Sequence, residues 1–261
     1  MLEAWRTLRG VARSMRIYYG DGERHRAMHR LNRRFIRPGD LVFDIGAHVG
    51  DRIAAFRRLG ARVVAVEPQP ALVRTLKLLY GRDASITIEP LAVARQDGMI
   101  ELNLNLDNPT VSTASTAFLR AANGAPQWEG QHWSRTIRVR TITLDALIER
   151  HGKPTFIKLD VEGMEADALA GLSQAVAAIS FEFTTILPTI AQDCIARCAT
   201  LGYARYNAIL GERHVLVHPT WRSADEIATW LSSLPAQANS GDIYALQESE
   251  ISNQGSENPD A

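Results

Sequence analysis

Residues 41–50 read LVFDIGAHVG: a short apolar run carrying an acid, then two glycines four apart. Leu41 to Ile45 has the length and composition of a strand. The glycine-bearing turn after it leads into a helical stretch, Arg52 to Leu59, which stops at Gly60. Arg62-Val63-Val64-Ala65-Val66 is a β-branched strand ending at Glu67-Pro68. Leu72 to Tyr80 is the next helix, stopped by Gly81, and Ile86 to Val93 is read as the third strand. Strands alternating with short helices call for a parallel sheet covered by helices on both faces, an α/β fold.

Outward from this segment the chain divides into an N-terminal helical arm (1–38), a main domain (39–246) and a tail (247–261). In the arm, Leu2, Trp5, Leu8 and Val11 recur at helical spacing, as do Met28, Leu31 and Phe35. Arg24, Arg26, Arg30, Arg33, Arg34 and Arg37 suggest a packed N-terminal arm with a solvated basic face; a phosphate or sugar-nucleotide face is the alternative. Pro38-Gly39 ends the arm. Past the third strand, Ile100, Leu102, Leu104 and Leu106 alternate like a half-buried strand. Residues 107–135 show no period and carry Trp128, His132 and Trp133 among hydroxyls and glycines, which suits a lid or substrate-binding insertion, with disorder the alternative.

The α/β rhythm is expected to return at Thr136 to Thr141, with strands at 155–159, 179–183, 203–210 and 242–246 and helices at 144–150, 164–172 and 188–201. Ser223 to Glu226 has the form of a capping box opening a helix through Trp230. QESEISNQGSENPDA at 247–261 is polar and acidic and is expected to be disordered.

Composition narrows the function classes. Lys plus Arg and Asp plus Glu both total 29 in 261 residues, so the formal net charge is zero, which supports neither a nucleic-acid nor a membrane-surface partner. The first twenty residues are basic without the apolar core of a secretory signal, and no uncharged run approaches the ~18 residues of a membrane span. A cytoplasmic protein is expected. Cys194 and Cys198, four apart on one helix face, read as small apolar residues, not a disulfide or zinc site.

Three strand ends concentrate the chemistry. Asp44 to Gly50 opens a helix, and its G-x-x-x-G spacing differs from the G-x-G-x-x-G that a dinucleotide pyrophosphate needs. An acid beside such a turn suits a cationic ligand bearing an amine and a sulfonium; a generic strand-to-helix turn is the plain alternative. Glu67, 21 residues after Gly46, could accept hydrogen bonds from both ribose hydroxyls of an adenosine. Asp160 and Glu162 follow the strand at 155–159 and would face the same crevice, or else cap the next helix.

VFDIGAHVG (42–50), VVAVEPQP (63–70), PLAVARQDG (90–98), TITLDAL (141–147), FIKLDVEGMEADAL (156–169), FEF (181–183) and GDIYA (241–245) together resemble the FkbM family of methyltransferases. The family more often has Asn at the position of His48. The resemblance implies a seven-stranded Rossmann-like methyltransferase that uses S-adenosyl-L-methionine and acts mostly on hydroxyl oxygens of sugars, glycans or other natural products. By that match Asp44, Gly46, Gly50 and Glu67 would hold the cofactor, with Ala47, His48, Pro68 and Asp160 beside them and Ala92 against the adenine. Asp160 is expected as the general base or the residue orienting the acceptor, supported by Glu162 or Glu182. His132 is the alternative base. Asp160, Glu162 and Glu182 are hard oxygen ligands, but the sequence presents no clear ligand set and no metal is expected. An NAD-linked oxidoreductase and a non-catalytic nucleotide-binding protein remain the competing readings, and oligomeric state is not legible.

Overall fold

The computed structural model describes residues 2–248. Helices α1 (Leu2–Tyr19) and α2 (Gly22–Asn32) precede β1 (Leu41–Ile45), α3 (Asp51–Arg58), β2 (Arg62–Val66), α4 (Pro70–Tyr80) and β3 (Ile86–Glu89). There follow β4 (Ala92–Val93), β5 (Gly98–Leu104), α5 (Thr116–Ala122), β6 (Arg135–Ile142) and α6 (Leu144–His151). The chain then runs β7 (Phe156–Leu159), α7 (Glu165–Ala170), β8 (Ala178–Thr184), α8 (Pro188–Thr200), β9 (Tyr203–Leu210), α9 (Ala224–Ser233) and β10 (Ser240–Gln247). The tail expected from 247 lies outside the described residues from 249 onward; Gln247 closes β10.

The main sheet has seven strands in the order β3-β2-β1-β7-β8-β10-β9. Its first five follow the doubly wound arrangement of Rossmann-like folds, so the order reverses between β1 and β7, where such sheets open a ligand crevice. β10 enters antiparallel between β8 and β9, a departure from the all-parallel expectation. Alternation sorts the strands' apolar residues onto two faces. Phe43, Ile45, Ile157, Leu159, Ile179 and Phe181 pack under α6 to α9, where Cys194 and Cys198 are buried free thiols. Val42, Val63, Ala65 and Phe156 pack on the other face beneath Ile53 and Phe56 of α3 and Leu31 and Phe35 from the arm. The capping box is present: Ser223 Oγ accepts from Glu226 N, and the Glu226 carboxylate accepts from Ser223 N at 2.8 Å.

Two strand expectations need correction. The run Ile86 to Val93 is not one strand. Proline has no N–H for a ladder, and at Pro90 the chain leaves the main sheet. Ala92 and Val93 instead pair with β6 in a separate three-stranded sheet of order β4-β6-β5. Residues 136–141 likewise belong to that small sheet, antiparallel to β5, not to the α/β core. Its private core is Leu102, Leu104, Leu106 and Val139, the alternation visible in the sequence.

Residues 107–135, aperiodic in sequence, are held by tertiary bonds. Asn103 and Thr113 exchange backbone hydrogen bonds at 2.8 and 3.0 Å, Ser115 caps α5, and Trp133 Nε1 donates to the Val111 carbonyl at 2.7 Å. The arm docks on this segment by an unexpected face. Trp5 and Leu8 are 58% and 67% exposed, while buried Gly10 lies against Leu106 and Pro109 so closely that a Cβ there would collide with the Leu106 carbonyl. Small residues, not the apolar period, set this contact. Among the described residues no helix is long and apolar enough to cross a membrane.

Gly46, at φ +82°, is where β1 and β7 approach most tightly: an added Cβ would strike the Asp160 carbonyl oxygen. Left-handed strain and forced displacement together make Gly46→Ala cost on the order of 2–4 kcal/mol. The thermal midpoint followed by circular dichroism should fall by roughly 5–15 °C.

Candidate active site

The glycines of the first turn serve packing. Gly50, at φ +85°, leaves room for the side chains of Tyr80 and Leu76, as Gly46 does for the β7 terminus. Neither missing Cβ is filled by open space, and Gly50 and Ala47 do not line the cavity described below. His48 also sits at φ +50°, a region that Asn, Asp and His adopt more readily than other non-glycine residues. Its imidazole lies 3.3 Å from Thr110 Oγ1 and edge-on to Tyr18, and burial lowers its pKa to about 4, so the ring is neutral near pH 7.

Asp44 is fully buried below this turn and is not among the residues lining the cavity. It pairs with Arg52, a residue that sequence reasoning missed. Arg52 Nε donates to Asp44 Oδ1 at 3.2 Å, Nη2 to the Gly46 carbonyl at 2.8 Å, and Nη1 reaches Asp160 Oδ2 at 3.0 Å. Lys158, also missed, lies 2.7 Å from Asp242 and 3.7 Å from the same Asp160 oxygen. Each sat in plain view, in the first turn after the glycines and one strand position before Asp160's neighbour, but neither carries a motif.

Glu67 is 2% exposed yet lines the cavity. One carboxylate oxygen accepts from the His48 N–H at 3.0 Å and the other from the Gln69 N–H at 2.8 Å. Burial pushes its pKa up to about 7, against the pull of these two donors. Each oxygen keeps a lone pair for a further donor.

In the loop after β7 no side chain caps the next helix. The Glu165 carboxylate instead turns back on the loop, accepting from Val161 N at 2.9 Å and Gly163 N at 3.1 Å. Asp160 and Glu162, with Glu182 of β8, bring one carboxylate oxygen each within 4.8 Å of one another. Register explains the meeting: Leu159 pairs with Phe181, so the residues after them stand level on adjacent strands. Burial works against the charge of Asp160, but Lys158 and Arg52 outweigh it and hold its carboxyl below the ordinary range. Burial, then the neighbouring acids, push Glu162 and Glu182 well above it.

These groups surround one cavity of about 360 Å³ over the ends of β2, β1, β7 and β8. Gly46, His48, Glu67, Pro68, Ala92, Asp160, Glu162 and Glu182 all line it. At about 4.8 Å per strand, Glu67 after β2 stands roughly 10 Å from the tip of β7 and 14 Å from β8. Ser14 and Tyr18 of α1 and Thr110, Ser112 and Trp128 of the 107–135 segment close the remaining wall. Gln69 ties that segment down, donating to the Pro109 carbonyl at 3.0 Å and accepting from Ser112 Oγ at 3.1 Å. His132, the alternative base, is not on the wall.

Residues 44–234 match the family model described as the methyltransferase FkbM domain. No curated protein matches the sequence. Among solved structures, similarity is found to magnesium protoporphyrin IX methyltransferase of Synechocystis PCC 6803 with bound S-adenosylmethionine, at 13% identity and TM-score 0.45, covering 91% of this chain and 83% of that one. A precorrin-6y C5,15-methyltransferase from Geobacter metallireducens GS-15 is similar at 12% identity and TM-score 0.40, over 85% and 87% of the two chains. A Thermotoga maritima S-adenosylmethionine-dependent O-methyltransferase gives 12% and 0.43, over 85% and 64%.

Glu67 also makes folding pH-dependent. Its folded pKa, about 7, lies above the ordinary 4.5, so its contribution is fully present below pH 4.5 and is lost as pH rises through 7. The shift corresponds to a loss on the order of 3 kcal/mol at most. Urea unfolding at a series of pH values should show stability declining across that window. Glu67→Gln, which does not titrate, should flatten the slope whatever its effect on absolute stability.

Proposed function

We propose that this chain, which belongs to the FkbM methyltransferase family, transfers a methyl group from S-adenosylmethionine to a hydroxyl oxygen of a small polar acceptor such as a sugar or glycan. The observation that carries the reading is one cavity with a buried, half-satisfied Glu67 at one end and the Asp160, Glu162 and Glu182 trio at the other.

The residues fit the cofactor. Glu67 retains two lone pairs suited to the ribose hydroxyls, each such charged hydrogen bond contributing about 1.5–3 kcal/mol. Pro68 and Ala92 supply apolar wall on either side for the adenine. The cofactor carries its methyl on a positively charged sulfur, already a good leaving group. Asp160 at the β7 tip, held ionised by Lys158 and Arg52, favours that cation and its amine. Asp44 acts from below through Arg52, and Asp160 serves as a fixed negative charge at the centre. With two cations upon it, Asp160 is a poorer base than an ordinary aspartate, which moves the acceptor-facing role to Glu162 and Glu182. Aligning an oxygen behind the methyl carbon accounts for up to ~7–11 kcal/mol of barrier.

An oxygen acceptor is favoured over an amine by the same acids. An amine entering this pocket is stabilised as an ammonium, which has no lone pair to react, whereas a hydroxyl suffers no such penalty. Hydroxyls and amides of Thr110, Ser112, Thr184 and Asn239 on the wall suit a polyhydroxylated acceptor. Residues 107–135 and α1 form the acceptor-specific side in this reading. A dinucleotide enzyme is disfavoured because Gly46 and Gly50 make room for protein atoms, leaving no berth for a pyrophosphate. A catalytically silent binder would have no use for three carboxylates gathered on one cavity wall.

Calorimetric titration should give saturable S-adenosylmethionine binding that weakens below pH 7, by up to about tenfold per unit, because ribose donors require the ionised Glu67. Glu67→Gln should bind more weakly and lose this pH dependence. Glu162→Gln and Glu182→Gln should lower turnover by roughly 10²–10⁴-fold, with cofactor affinity nearly unchanged. With a ¹³C-methyl donor and candidate acceptors, the product carbon should resonate as a methyl ether; an N-methyl or C-methyl signal would refute oxygen transfer.

A further inference from the structure

We propose that Asp160, Glu162 and Glu182 form the binding site of one hard divalent cation, Mg²⁺, Mn²⁺ or Ca²⁺. Its use in holding the acceptor oxygen rests on the methyltransferase reading above; the binding itself does not.

The distances suit a single ion. One oxygen from each residue lies within 4.8 Å of the other two. Oxygen ligands sit about 2.0–2.6 Å from such ions, so a pair on opposite sides is separated by about 4–5 Å and adjacent pairs by less. The donors are hard carboxylates, two from the tip of β7 and the loop after it and one from the neighbouring strand β8.

A second observation points to an occupant. Glu162 is 6% exposed, and among the described residues its carboxylate takes part in no hydrogen bond or ion pair. It faces the other two acids across the cavity it helps to line. A buried carboxyl left without a hydrogen-bond partner is costly, and the loop amides closest to it in sequence, Val161 N and Gly163 N, donate to Glu165 instead. Glu182 likewise has no partner among the described residues. Nearby cations are spent elsewhere: Arg52 on Asp44, the Gly46 carbonyl and Asp160, and Lys158 on Asp242 and the Leu159 carbonyl. Both reach Asp160 through the same oxygen, Oδ2, which leaves Oδ1 free to ligate. The cavity opens onto all three residues, so coordination positions remain for water or for oxygens of the acceptor.

The test titrates the full, chelator-stripped protein with Mn²⁺ without cofactor, reading free Mn²⁺ by electron paramagnetic resonance, and separately titrates S-adenosylmethionine by calorimetry. The site predicts one Mn²⁺ bound per chain, displaced by Mg²⁺ or Ca²⁺. Glu162→Gln and Glu182→Gln should each weaken it by roughly tenfold or more with unchanged thermal melts. In the wild-type protein, Mn²⁺ should broaden NMR signals of Thr184 and Trp128 on the cavity wall before those of remote residues, a readout that does not depend on the variants folding. No saturable Mn²⁺ binding, binding untouched by the substitutions, or broadening centred elsewhere overturns the proposal. So does loss of S-adenosylmethionine binding in the variants without any Mn²⁺ site, which would assign the trio to the cofactor's ammonium. If Mn²⁺ binds and S-adenosylmethionine does not, the cation site stands and the methyltransferase reading falls.

Discussion

The guanidinium of Arg52 occupies the point where the tips of β1 and β7 converge, bonded to Asp44, to the Gly46 carbonyl and to Asp160. Removing it would leave Asp44 a fully buried anion without a partner and would release Asp160 from its position. The close backbone approach at Gly46 and the pairing through Arg52 work together: one sets how near the strand tips come, the other neutralises the acids brought together by that nearness. The cavity floor, the orientation of the loop after β7, and the separation between Glu67 and the carboxylate trio all follow from this junction.

Charge is distributed unevenly around it. Asp44, Asp160 and Asp242 alternate with Arg52 and Lys158 in a compensated chain, whereas Glu162 and Glu182 stand outside that chain, with no ion pair among the described residues. The first set is structural and holds its form without a ligand. The second is poised for something brought from outside, whether cation, ammonium or acceptor. A site for a positively charged methyl donor needs this asymmetry, since complete internal neutralisation would remove the attraction.

The arm and the 107–135 segment complete the cavity from outside the sheet. Arg24 of α2 reaches buried Asp51 at 2.8 Å at the start of α3, and Tyr19 of α1 donates to the Val49 carbonyl at 3.0 Å within the glycine turn. Arg6 of α1 pairs with Asp107 at 2.5 Å. These bonds make the arm's basic residues partners in docking as much as a solvated face. They couple the 107–135 side of the cavity to the turn after β1.

Much of the molecule was legible without coordinates because its local signals are strong. Apolar strands, glycine stops and a capping box marked most elements of the main sheet, and acids at strand ends pointed to one crevice. What escaped the sequence has a common cause. Whether Ala92 and Val93 extend β3 or join another sheet, whether β10 runs antiparallel, and which face of α1 packs are decided by partners distant in the chain. Asp44, Ala47 and Gly50 stand in the motif but not on the cavity wall, since a motif specifies position along a strand and not the direction in which neighbouring backbone leaves space. Arg52, Lys158 and the meeting of Glu182 with Asp160 and Glu162 depend on strand order and register. The amino-acid sequence by itself determined the family, the periodic elements and the identities of the acids. Only the tertiary structure decided which of those acids are neutralised by cations and which face the cavity without a partner, because desolvation and pairing act through space.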